Sequence, residues 1–286
     1  MSSSKPSPPR SFFSLIGWTR DSSILLSIFF SMVGLIVYVW WPLAEEVLSY
    51  IDWTGRWWLY IDWLLIGIFF FMSIAIVSHA NLSRDSLTIL VATFGGLAIE
   101  SWGTQTNLWH YYTAERPPLW IIPAWPIATL TINRIVRLLN FLTIKKTIAH
   151  KEKPFLEKNS AHWLLKIIYW IIFPVFFILM LYFVAPTFDK PYTILSVLLV
   201  ALLTISPTSY KYAILTFVAG IALGYFLELW GTTRECWTYY TYQKPPLFAV
   251  LAHGMAAVAF WRTELLIKSI WLQIKNTSTR KKYERI

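Results

Sequence analysis

Cysteine is almost missing from this chain of 286 residues, where Cys236 stands alone. That excludes an intramolecular disulfide and any cysteine-based zinc site. Charge is scarce too. Asp, Glu, Lys and Arg together make 14% of the chain, against about a quarter in soluble domains. The sequence has no Gly-rich phosphate loop, no Asp-rich pyrophosphate site and no Ser-x-x-Lys or Gly-x-Ser-x-Gly nucleophile. No His/Asp/Glu cluster has metal-ligand spacing, so neither a metal nor a cofactor is expected.

Apolar residues are what the chain has instead. They make up 56%, aromatics alone 18% with 17 Trp, and mean hydropathy is +0.52. A soluble fold of this length could not hide that much apolar surface. The composition predicts an all-α polytopic membrane protein. The net charge of +10 then belongs to membrane-facing basic loops and not to a nucleic-acid partner.

Eight apolar stretches are long enough to cross ~30 Å of hydrocarbon: 23–41, 57–79, 87–104, 119–140, 163–185, 192–206, 212–231 and 247–271. The sixth is short, ends at Ser206-Pro207, and is expected to be tilted or broken. Residues 1–22 read as a flexible tail, 23–140 as a first four-helix unit, 141–162 as a basic linker, 163–271 as a second unit and 272–286 as a basic tail. No small-residue cleavage site follows the first apolar run, which reads as a retained anchor. With the N-terminus inside, the inner segments carry 15 basic residues and the outer loops 5. This bias places both termini in the cytoplasm, in a membrane of the prokaryotic cytoplasmic type. Arg134 and Arg262 fall near inner span ends, where interfacial anchoring is expected. The tandem Tyr50–Trp53 and Tyr60–Trp63 reads as part of an outer aromatic belt.

An internal duplication is the most informative feature. Gly96–Arg134 aligns without gaps on Gly224–Arg262 at an offset of 128, with 15 of 39 positions identical. Glu-x-Trp-Gly-Thr, Trp-x-Tyr-Tyr-Thr and Pro-Pro-Leu each occur twice. Four spans per unit is an even number, so both units enter from the same side. The expected arrangement is two parallel four-helix repeats about an axis along the membrane normal, with the working site between them.

Glu100 and Glu228 lie near the outer ends of the third and seventh spans. An ionisable group in a span is costly and points to a purpose. Gly96, Glu100, Gly103 and Thr104 share a helix face, as do Gly224, Glu228, Gly231 and Thr232, so each carboxyl should face protein. Trp109, Tyr111 and Tyr112, with Trp237, Tyr239 and Tyr240, follow as loops that could be belt residues, a lid, or donors to a bound head group. The units are not equivalent: Trp125 corresponds to His253, and Pro123 and Pro126 to Leu251 and Gly254. Histidine is the side chain whose ordinary pKa lies near neutrality, so Glu228 with His253, assisted by Glu100, is a candidate acid–base set. Thr104, Thr232 and the loop aromatics are the candidate substrate contacts. Packing alone could also account for the glutamates and for His253.

The order Glu100 to Thr104, Trp109 to Thr113 and a proline opening a new span, repeated from Glu228 to Thr241, resembles membrane proteins of carotenoid biosynthesis, the carotenoid hydratase type. It covers about 40 residues of each unit, and the extra loop glycines of that family are missing here. The resemblance implies an apolar isoprenoid entering from the bilayer and acid–base chemistry at a double bond. Three functions are open at this stage: an enzyme acting on a membrane lipid or apolar small molecule, a proton-coupled transporter or flippase, and a structural subunit of a membrane complex.

Overall fold

Local capping chemistry sets where the helices begin. Thr19 and Ser22 form a reciprocal capping box at the start of α1 (Arg20–Ser49). Asp62 caps α2 (Trp63–Val77), Asn81 caps α3 (Leu82–Gln105) and Ser209 caps α7 (Tyr210–Thr233), each accepting a backbone N–H two or three residues inside the helix. The remaining helices are α4 (Ala124–Ala149), α5 (Phe155–Val184), α6 (Pro191–Thr204) and α8 (Leu247–Tyr283). Two three-residue strands, β1 (Trp109–Tyr111) and β2 (Trp237–Tyr239), pair antiparallel. This computed structural model describes residues 14, 16–149, 155–205 and 207–283. Most of the expected N-terminal tail, the centre of the expected linker and residues 284–286 lie outside the described residues.

Six of the helices are long and apolar enough to cross a membrane. The other two are shorter than expected. The stretch 57–79 yields only the 15 residues of α2, about 22 Å long, because the Asp62 cap starts the helix late and Trp57–Leu59 turns separately. α6 has 14 residues, about 21 Å. The other helices outrun their apolar stretches. α4, α5 and α8 run well into the segments expected as linker and tail, since a helix does not stop where hydrocarbon does.

α3, α4, α7 and α8 pack on one another in the middle of the molecule. α1 and α2 flank them on one side, α5 and α6 on the other. Leu25, Phe29, Met32, Ile36 and Trp40 give α1 a buried stripe at helical spacing. Large apolar side chains such as Phe30, Phe70, Phe94, Phe141 and Leu202 point outward, as on a surface solvated by lipid. Ser22 Oγ donates to the Val77 carbonyl at 2.7 Å, and Leu82 N donates to Asp21 at 2.9 Å, so the start of α1 is tied to the α2–α3 turn.

Candidate functional site

α3 and α7 are both 24 residues long and begin 128 residues apart. Their ends lead into equivalent turns. Asn107 and Glu235 both have positive φ, as do Ala114 and Tyr242, and the Arg116–Pro117 and Lys244–Pro245 bonds are both cis. β1 and β2 pair with His110 opposite Thr238. Tyr112 N donates to Cys236 O, and Tyr240 N to Leu108 O, closing the ribbon at both ends.

A Trp-x-Tyr strand puts its Trp and Tyr on one face. In each unit both rings turn back onto the glutamate of the preceding helix. Trp109 Nε1 donates to Glu100 Oε2 at 3.1 Å, and the Tyr111 hydroxyl to Oε1 at 3.0 Å. Trp237 Nε1 donates to Glu228 Oε2 at 3.0 Å, and the Tyr239 hydroxyl to Oε1 at 2.9 Å. A third group reaches each carboxylate from the following helix. Trp125 Nε1 donates to Glu100 at 3.1 Å, whereas His253 Nε2 lies 2.9 Å from Glu228. Both glutamates are 4% exposed. The Trp125 and His253 rings stack on each other, 5.9 Å apart and 19° from parallel. The structure thus brings Glu100, Glu228, His253, Trp109, Trp237, Tyr111 and Tyr239 into one assembly.

The other candidates bond to backbone carbonyls. Thr104 and Thr232 donate to the backbone carbonyls of Glu100 and Glu228 within their own helices, at 2.6 and 2.7 Å. Tyr112 donates to the Val39 carbonyl of α1, and Tyr240 to that of Phe183 in α5 at 2.7 Å. These two hydroxyls clamp the loop to a flanking helix. Burial beside carboxylates pushes the Tyr111 and Tyr239 hydroxyls well above the ordinary tyrosine pKa, so both remain donors. Among the described residues no cluster could hold a metal ion.

The glycines beside the glutamates make room for rings more than for helices. A Cβ on Gly103 would stand 1.9 Å from the Trp109 ring, and one on Gly231 2.0 Å from Trp237. Gly96 faces Trp125 and Gly224 faces His253 in the same way. Only Gly220 permits the close helix approach expected of the whole face: a Cβ there would meet Gly254 Cα of α8 at 2.7 Å.

An apolar groove of about 80 Å³ lies between α1, α2, α4 and α7, and its lining includes Met32, Trp40, Met72, Ala128, Trp230 and Trp237. Trp237 therefore faces the groove and holds Glu228. On the opposite flank the rings of Phe176, Phe183 and Phe248 stack tightly. A small polar recess is lined by Thr88, Thr129, Asn133 and Glu264. Neither glutamate lines either space.

Sequence reasoning missed two polar residues. Asp62 accepts from Trp230 Nε1 at 2.8 Å and pairs with Arg234 at 3.0 Å, so it belongs to a cross-link between α2 and α7 and not to an aromatic belt. Asp85, 2% exposed, pairs with the buried Arg134. That places Arg134 in a buried ion pair in place of the expected interfacial anchor. The signal available was Asp85 itself, a carboxylate two residues before an apolar span. The chain matches no family model, and no similar curated protein or solved structure was found.

Proposed function

We propose that the chain is an enzyme of the lipid bilayer, built as two parallel four-helix repeats, in which Glu228 and His253 form an acid–base pair acting on an apolar lipid or isoprenoid. One observation carries this reading: the histidine and the apolar groove both fall beside the same carboxylate. Glu228 has histidine where Glu100 has tryptophan, and the indole that holds Glu228 is one of the residues lining the apolar groove. A His–Glu pair can give and take a proton, which an indole N–H cannot. Glu100 and Trp125 then serve as a fixed support for the stacked His253 ring. The surrounding rings offer π faces to positive charge developing on a double bond. The groove suits a hydrocarbon segment, since its walls offer it almost no polar group.

A structural reading is favoured by a different observation. Every carboxylate oxygen of Glu100 and Glu228 already accepts a hydrogen bond from the protein. Two glutamates bonded in this way can serve simply to lock the loops to the helices. Transport fits less well, because Val91, Ala92 and Phe260 pack beneath Trp125, toward the end of α3 away from the glutamates.

The two readings separate on Glu228→Gln. Glutamine keeps the shape and accepts from Trp237 or Tyr239, but holds no proton for exchange. The enzymatic reading predicts a folded protein in which processing of the co-purified apolar compound falls at least ~100-fold, within the usual contribution of a general acid or base. Glu228→Gln that unfolds, together with His253→Gln that leaves processing intact, would overturn it.

A further inference from the structure

At the end of α3 opposite Glu100, three guanidiniums converge on one carboxylate. Arg134 makes a two-armed pair with Asp85. Arg84 Nε and Arg137 lie 3.6 Å from the same Asp85 oxygen. The Arg134 and Asp85 side chains are buried, whereas Arg84 is 51% and Arg137 38% exposed. Asp85 neutralises one of the three positive charges. Arg134 Nε is buried with no hydrogen-bond partner among the described residues. Arg84 spends one arm on the His79 carbonyl at 2.9 Å.

The setting is that of a membrane interface. Arg84 is 16 residues before Glu100 on α3, about 24 Å along the axis. Beside Arg137 on α4, Leu138, Phe141 and Leu142 are exposed large apolar side chains. The second unit has no counterpart to the cluster: Tyr212, Ala213 and Leu265 stand where the first has Arg84, Asp85 and Arg137. The cluster therefore does not follow from the duplicated architecture.

We infer that Arg84 and Arg137, held in place by the Asp85–Arg134 pair, bind the phosphate group of an anionic lipid on the membrane face opposite the glutamates. Guanidiniums bind phosphate oxygens through paired N–H donors, and basic pockets between membrane helices are recognised sites for anionic head groups. Acyl chains from a lipid held there would lie along Leu138 and Phe141. The shared chemistry is a phosphate mono- or diester, and the flanking apolar residues favour lipid over a soluble anion as its source. The site is independent of the glutamate chemistry.

The test is native mass spectrometry of the full chain released from nanodiscs of phosphatidylglycerol or of phosphatidylcholine, comparing wild type with Arg84→Gln/Arg137→Gln. Both substituted side chains are partly exposed, and the buried pair stays intact, so the variant should fold; unchanged circular dichroism checks this. The proposal expects one phosphatidylglycerol to remain on the wild-type chain, at least five-fold less on the variant, and no comparable retention of phosphatidylcholine. A second arm measures wild-type thermal stability with inorganic phosphate in detergent free of lipid. Stabilisation there that vanishes in the variant supports the phosphate site and assigns its source to solution. Equal phosphatidylglycerol retention by wild type and variant, or equal retention of both lipids by wild type, overturns it. To guard against a folding defect, Arg84→Lys/Arg137→Lys should restore part of the retention.

Discussion

Trp109 and Trp237 each place an indole N–H on the glutamate nine residues earlier, and that contact explains several neighbours at once. Gly103 and Gly231 are the floor on which the two rings lie. Replacing either glycine with alanine drives a methyl into a ring with little room to move. Overpacking of this kind typically costs ~1–3 kcal/mol, and thermal unfolding in detergent should show it for Gly103→Ala and Gly231→Ala alike. Trp109→Phe leaves a smaller aromatic ring and removes one donor to a buried carboxylate. It should destabilise by ~1–3 kcal/mol. Asp85→Asn should cost more, ~3–5 kcal/mol, because Arg134 would remain buried with an uncompensated charge. Among the described residues Arg262, the counterpart of Arg134, has a hydrogen bond only to the Leu203 carbonyl, at 3.4 Å, so Arg262→Gln should cost much less. Equal losses for Asp85→Asn and Arg262→Gln would contradict the buried-pair account.

At the scale of elements, the duplicated Glu, Trp and Tyr pattern was legible because identical residues recur at one offset, and the two copies make matching hydrogen bonds. The glutamates read as protein-facing from helical spacing alone, and both are buried. The strand pair was less visible. Three residues carry too little period for a strand signal, though the alternation Trp-x-Tyr in both loops is the trace of one. The late start of α2 was hidden because Trp57, Trp58 and Leu59 are as apolar as the helix that follows; only the Asp62 cap marks the boundary. The pairing of Tyr112 and Tyr240 with carbonyls of α1 and α5 depends on how distant helices approach, which spacing within one segment does not encode.

The turn into β2 also makes a chemical prediction. Cys236 is 3% exposed, its amide is tied to Gly231 O, and burial pushes its thiol up to about 12. A thiol reacts as thiolate. An ordinary cysteine near pKa 8.5 becomes largely thiolate by pH 9, whereas Cys236 stays protonated there. Maleimide should therefore label it slowly at pH 7 and still slowly at pH 9, but fully after denaturation in detergent. Rapid labelling of the native protein at pH 7 would mean that the turn opens.

For the whole molecule, the bias of basic residues predicts that both termini are cytoplasmic. Because Cys236 is buried, the orientation needs new thiols in a Cys236→Ala background. Glu115→Cys in the exposed first loop should react with an impermeant maleimide on intact cells; Thr277→Cys near the end of α8 should react only after the membrane is opened. The reverse pattern would invert the molecule. The fold class was plain from composition. The groove beside Trp237 was not, because it arises where four helices meet.

The most direct test of the central claim is mass spectrometry of the apolar compounds that co-purify with the chain in mild detergent, for wild type, Glu228→Gln and Ala128→Phe. Ala128 walls the groove, so phenylalanine there should fill it without touching either glutamate. The account predicts a specific apolar compound on wild type, its accumulation unprocessed on Glu228→Gln, and its loss from a folded Ala128→Phe. Bulk bilayer lipid alone on all three proteins would contradict it and return both glutamates to a purely structural role.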